Sequence, residues 1–134
     1  MKILLDEQIQ RRMKKALQGD FQVSTLNDVG WLGYQNGKLR ELLNENKFTF
    51  LLAADKNLPF QQNLNKADFA VILLDSYANA WRFHSLLVPK IQNLLDNCPN
   101  ILPKLIHIRN DDWYNEKLIE KLKKQFPPDQ ILFL

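Results

Sequence analysis

Three short apolar runs in this chain each end in an aspartate: KILL before Asp6, FLLAA before Asp55 and FAVILL before Asp75. Carboxylates gathered at one mouth repel one another unless a hard cation joins them, and Mg²⁺ or Mn²⁺ takes oxygen ligands of this kind. Such a metal orients a phosphodiester and activates water. Asp6 and Asp55 are therefore the candidate catalytic and metal-binding residues, and Asp75 is a further acid. Glu7 is another, although it also suits the first turn of a helix, where negative charge is favoured. The bland alternative is that acids at strand ends cap the helices that follow and solvate loops. The turn after Asp55 adds Lys56, Asn57, Gln61 and Gln62. These groups suit a phosphate or a metal-bound water, or simply a solvated turn at Pro59.

The elements that must position these residues are legible from periodicity. Lys2–Leu5 reads as a strand, and Gln8–Leu17 as a helix with Ile9, Met13, Ala16 and Leu17 on one face. Phe21–Leu26 alternates as a second strand before a loop over Asn27–Gly37, rich in glycine. Asn36 is the predicted N-cap of a helix carrying Leu39, Leu42 and Leu43. The run from Phe48 to Ala53 is a third strand, and Phe69–Leu74 a fourth. Asn79–Cys98 reads as a long helix kinked or restarted at Pro89. Leu105–Ile108 is a candidate fifth strand, and the last helix opens at Asp111 with Tyr114, Leu118, Leu122 and Phe126 four apart.

Continuous apolar strands alternating with helices imply a sheet covered on both faces. The predicted fold is a three-layer α/β/α sandwich with a mainly parallel sheet. Ligands in such folds sit outside the carboxyl ends of the strands, which is the edge where the three aspartates emerge.

A chain of 134 residues with 46% apolar and 25% charged residues suits one folded domain. The net charge of +3 permits an anionic partner without requiring one. One cysteine, Cys98, excludes an internal disulfide and a thiolate metal cluster, and His84 and His107 lack zinc-type spacing. MKILLDEQ reaches acids too soon for a signal peptide, and no apolar run spans a bilayer, so a cytoplasmic protein without membrane contact is expected.

Arg11, Arg12, Lys14 and Lys15 give the first helix a basic face, and Lys117, Lys121, Lys123 and Lys124 do the same for the last. Arg11 and Arg12 are the candidates for an RNA backbone, and a solvated amphipathic face is the alternative. Trp31, Tyr34, Phe60 and Trp81 are candidates for base stacking, the first two most of all because they lie in the glycine-bearing loop. Ser76 and Cys98 have no base nearby in sequence and no nucleophile motif.

Three segments, MKILLDEQI with its basic helix, DVGWLGYQNGKL, and LLAADKNLPFQQNL, resemble the small bacterial PIN-like proteins related to PIN nucleases and toxin components. The resemblance covers residues 1 to about 96, which implies a family core over 1–96 and a C-terminal extension over 97–134 within the single domain. It implies a PIN-like fold and Mg²⁺- or Mn²⁺-dependent hydrolysis of RNA phosphodiesters, sometimes by the toxin of a toxin–antitoxin pair. Asp6 matches the first-strand acid and Asp55 the strand-end acid. Ala53 and Ala54 stand where the family supports that acid with hydroxyls, and Lys38 where an acid often follows the NG pair. Glu41, one helical turn on, is the substitute for that acid.

The leading expectation is a PIN-like ribonuclease. The alternative is a non-catalytic PIN-like module that binds RNA or an antitoxin-like protein; the C-terminal extension is then expected to complete the sheet edge, support a homodimer or hold a partner, with PPDQILFL as a strand available to a second chain. A third reading, a phosphoacceptor receiver, takes Asp6-Glu7, Asp55 and Ser76 but needs a lysine after the fifth strand, whereas Lys104 precedes it.

Overall fold

A computed structural model describes residues 1–61 and 63–134; Gln62 lies outside the described residues. Six strands form one all-parallel sheet in the order β2-β1-β3-β4-β5-β6. They are β1 (Lys2–Leu5), β2 (Gln22–Thr25), β3 (Phe50–Ala53), β4 (Ala70–Asp75), β5 (Leu105–Arg109) and β6 (Ile131–Phe133). The helices are α1 (Arg12–Ala16), α2 (Leu26–Val29), α3 (Asn36–Glu45), α4 (Leu58–Gln61), α5 (Trp81–His84), α6 (Val88–Asp96) and α7 (Glu116–Gln125).

Side-chain alternation along each strand divides the core in two. Ile3, Leu5, Phe50, Leu52, Ile72 and Ile106 face one layer, where they meet Met13 of α1, Leu87 just before α6, and Ile91 and Leu95 along α6. Leu4, Leu51, Val71, Leu73 and Leu105 face the other, against Leu39 and Leu43 of α3, Leu58 of α4 and Leu118 and Leu122 of α7. The result is the three-layer α/β/α sandwich that the strand pattern predicts. All six residues of β4 are buried, so a central strand covered on both faces reads as one unbroken apolar run.

The chain leaves β1 toward the α1 layer and β3 toward the α4 layer. Where neighbouring strands send their connections to opposite faces, the loops part and a crevice opens at the carboxyl edge. The connection from β4 to β5 runs through α5 and α6 on the α1 layer. The connections from β3 to β4 and from β5 to β6 progress the same way across the sheet but use the opposite layer, so the α6 crossover has the opposite hand to theirs. Crossovers of one hand dominate parallel sheets, and this exception sets α6 beside α1, where Gln92 bonds Gln18 in both directions at 2.9 and 2.6 Å.

Several boundaries differ from the sequence reading. Helix α1 is confined to Arg12–Ala16, and a turn of helix, α2, occupies part of the expected loop. Asn36 is the first residue of α3 rather than its cap; it sits at φ 50°, a left-handed conformation that asparagine tolerates, and Gln35 precedes it. The long helix does restart at Pro89, as the proline predicts: it stands in the first turn of α6, where a missing N–H costs nothing. Asn115, not Asp111, caps α7 through its bond from the Leu118 N–H at 3.2 Å. The terminal strand pairs in parallel with β5 of its own chain, Leu105 with Ile131 through His107 with Phe133.

Leu52 lies on the central strand β3 with no exposed surface. Leu52→Ala is predicted to cost about 2–5 kcal/mol, as cavities in close-packed cores do. Urea unfolding of parent and variant measures it; a change below about 1 kcal/mol would mean that this layer is not packed as described.

Candidate functional site at the carboxyl edge of the sheet

Backbone hydrogen bonds set the two acids at the mouth between β1 and β3. The Asp6 N–H donates to the Leu52 carbonyl at 2.9 Å, extending the β1–β3 ladder by one residue and fixing the aspartate at the strand end. Asp55 leaves β3 through an Asx turn in which its Oδ1 accepts the Asn57 N–H at 3.0 Å. Its own carbonyl accepts the Leu58 N–H at 3.1 Å, which starts α4.

The third wall of the crevice comes from the TLNDVG segment. Thr25 and Asp28 form a reciprocal capping box, with the Asp28 N–H on Thr25 Oγ1 at 3.1 Å and the Thr25 N–H on Asp28 Oδ2 at 2.9 Å. Gly30 ends α2 at φ 76°, where a side chain would be strained. The Thr25 N–H and the Lys14 ammonium at 2.9 Å lower the Asp28 pKa to about 2. This turn delivers Tyr34, Gln35 and Asn36 to the acids.

Asp6, Glu7 and Asp55 thus share a cavity of about 130 Å³ with Tyr34, Asn36 and Gln61. Burial raises the Asp6 pKa above its ordinary value of 3.8; a bond from the Glu7 N–H opposes that rise, and the charges of Glu7 and Asp55 add to it. The site is therefore short of positive charge. Among the described residues no three of His, Cys, Asp and Glu come together as metal ligands. Two carboxylates with amide oxygens and open space nevertheless suit Mg²⁺, which holds one or two carboxylates and keeps several waters. Mn²⁺ prefers the same oxygen donors. Asp6 and Asp55 are the residues that fit the ion.

The other expected site residues are dispersed. Glu41 is exposed on α3 and does not line the cavity. Lys38 stands 6.0 Å from the Tyr34 ring centre and forms no ion pair with either acid among the described residues. Arg11 and Lys14 are drawn to Asp28 at 3.7 and 2.9 Å, while Arg12 stays exposed. Asn57 is exposed and contributes its N–H to the Asx turn. Trp31 packs edge-on against Phe48 with centroids 5.6 Å apart, Trp81 packs on the α1-side core, and Phe60 lies under the Lys121 ammonium at 4.5 Å. Tyr34 is the exposed aromatic at the acids.

Asp75 belongs to a second group, between β4 and β5. It is fully buried, bonding His107 Nε2 through Oδ2 at 2.9 Å and accepting Trp113 Nε1–H on Oδ1 at 2.9 Å. Burial pushes its pKa up, but the bonds from His107 and Trp113, with the charges of His107 and Lys56, outweigh that and lower it. Lys56 donates to the Ser76 carbonyl at 3.0 Å and lies 3.5 Å from Asp75 Oδ1. Ser76 Oγ donates to Asn110 Oδ1 at 2.6 Å, so this hydroxyl is committed. His84 is buried with neither ring nitrogen partnered among the described residues, and burial followed by the Lys56 charge lowers its pKa. The sequence reading missed His107, Trp113 and Asn110. The available signal was a histidine at an inward position of the apolar strand LIHI. Lys104, the lysine that the receiver layout would need, sits at the opposite edge, bonded to the Ala67 carbonyl at 2.6 Å.

Comparison with family models, curated proteins and solved structures gives no match, so the site rests on its own geometry. No helix among the described residues is long and apolar enough to cross a membrane.

A raised carboxyl pKa means that the folded state holds the proton more tightly than the unfolded chain. The stability tied to the Asp6 proton is present below pH 3.8 and is lost as pH rises through the folded value. Asp6→Asn is predicted to stabilise the protein at pH 7 by about 0.5–2 kcal/mol. The gain should fade as pH falls toward 3.8. Urea unfolding across pH 3–8 checks both, and a loss of stability at pH 7 would contradict the electrostatic description.

Proposed function

We propose that this chain is a Mg²⁺- or Mn²⁺-dependent ribonuclease of PIN-like type, with Asp6 and Asp55 as the metal ligands. The observation that carries this reading is the pairing of two strand-end carboxylates in one crevice, with Asp6 raised by burial and by the neighbouring negative charges of Glu7 and Asp55. When bound, the ion would polarise a phosphodiester and lower the pKa of a coordinated water. The protein's own part is positional. The β1–β3 ladder fixes Asp6, the Asx turn fixes Asp55, and Gln61 and Asn36 offer amide donors to phosphate oxygens at the cavity wall. Tyr34 supplies an exposed ring at the same wall for a neighbouring base. The net charge of +3 permits a polyanionic substrate. The similarity of MKILLDEQI and LLAADKNLPFQQNL to PIN-like proteins supports the same reading, including a place in a toxin–antitoxin pair in the cytoplasm.

A second reading, a PIN-like module that binds RNA or an antitoxin-like protein without cutting, is favoured because no three of His, Cys, Asp and Glu among the described residues are placed to hold one ion together.

Calorimetric titration of Mn²⁺ separates the two. The expected result is one site in the parent, weakened at least tenfold in Asp6→Asn and in Asp55→Asn. Cleavage of single-stranded RNA should fall at least a hundredfold in either variant. No binding at millimolar Mn²⁺, or cleavage that survives Asp55→Asn, would overturn the nuclease reading.

A further inference from the structure

Lys56 follows Asp55 directly, yet its ammonium does not turn to the acids. It donates to the Ser76 carbonyl at 3.0 Å, lies 3.5 Å from Asp75 Oδ1, and stands 5.9 Å from the Trp113 ring centre. Asp75 is fully buried, with one carboxylate oxygen bonded to His107 and the other to Trp113. The Lys56 side chain keeps a third of its surface exposed, so packing alone does not fix it. A lysine stem long enough to reach Asp75 is also long enough to fold back over its neighbour Asp55. There it would place a positive charge on the crevice and compete with a divalent cation.

We propose that Asp75 is a positioning residue that holds Lys56 away from the Asp6–Asp55 crevice, keeping the two carboxylates free to take a cation. The inference builds on the proposed metal site but concerns different residues. It explains why a strand-end acid that does not line the crevice is buried among two hydrogen-bond donors and a lysine, an arrangement costly to desolvate without such partners. It also explains why the DK pair does not neutralise itself.

The test is a double-mutant cycle read by Mn²⁺ calorimetry. Asp75→Asn keeps the shape of the carboxylate. Its amide oxygen still accepts from Trp113, and its amide N–H donates to His107 Nε2 once the imidazole takes its other tautomer. The charge holding Lys56 is gone. Asp75→Asn is expected to weaken Mn²⁺ binding roughly tenfold or more, the effect of one nearby charge at the effective dielectric of a partly exposed site. Lys56→Met alone should leave the affinity within about twofold, and Asp75→Asn with Lys56→Met should restore it. A structural role for Asp75 would not be rescued by removing the lysine. Unchanged affinity in Asp75→Asn, or a double variant as weak as the single, overturns the lock. So does a tenfold gain from Lys56→Met, a result that needs no folded Asp75 variant. If the parent binds no Mn²⁺, the metal reading fails by itself and a crystal structure of Asp75→Asn decides the lock. Lys56 Nζ moved from Ser76 to within salt-bridge distance of Asp55 supports it, and Nζ still on the Ser76 carbonyl overturns it.

Discussion

The buried carboxylate of Asp75 is the constraint around which the carboxyl edge of the sheet is arranged. A charge at zero exposure is tolerable only when its lone pairs are filled, and here donors come from three parts of the chain: His107 on β5, Trp113 in the turn before α7, and Lys56 after β3. Meeting those demands fixes β4 against β5 in register through Asp75 and Arg109. It also draws the turn before α7 over the strand ends and fills the β4–β5 crevice with side chains. The β1–β3 crevice, without such a plug, keeps a cavity of about 130 Å³ and unbalanced negative charge.

That division of labour turns three similar sequence features into two unlike sites. Asp6, Asp55 and Asp75 follow buried strands and fall on the same face by alternation, since Leu4, Ala53 and Leu73 all belong to the α3–α7 side of the core. Asp6 is raised by burial beside other acids, whereas Asp75 is lowered despite deeper burial because it is bonded and paired. One carboxylate is poised to gain from a cation; the other already has its counter-charges within the protein.

The layered fold was legible because burial on both faces leaves an unbroken apolar signature, as AVILL does in β4, and because Pro89 marks a helix start by chemistry that depends on its immediate neighbours alone. Strand-end acids at one edge followed from parallel topology. What was not legible depended on contacts distant in sequence. Trp113 reaches Asp75 across 38 positions and Ser76 meets Asn110 across 34, and periodicity carries no information about either. The N-terminus of α7 shifted because Asn115 accepts the N–H of Leu118, a local competition between Asp111 and Asn115 that spacing alone does not resolve. The terminal strand was legible as a strand and as one way to complete the sheet edge; that it does so in parallel beside β5 depends on contacts that its own sequence does not show.

The central claim is that Asp6 and Asp55 together hold a divalent cation. The most direct measurement is a crystal structure of the protein grown or soaked in Mn²⁺, with the ion located by its anomalous scattering. One strong peak is expected in the β1–β3 crevice, within coordination distance of carboxylate oxygens of both aspartates and with none at Asp75. An empty crevice at millimolar Mn²⁺, or an ion bound at Asp75 in its place, would contradict it.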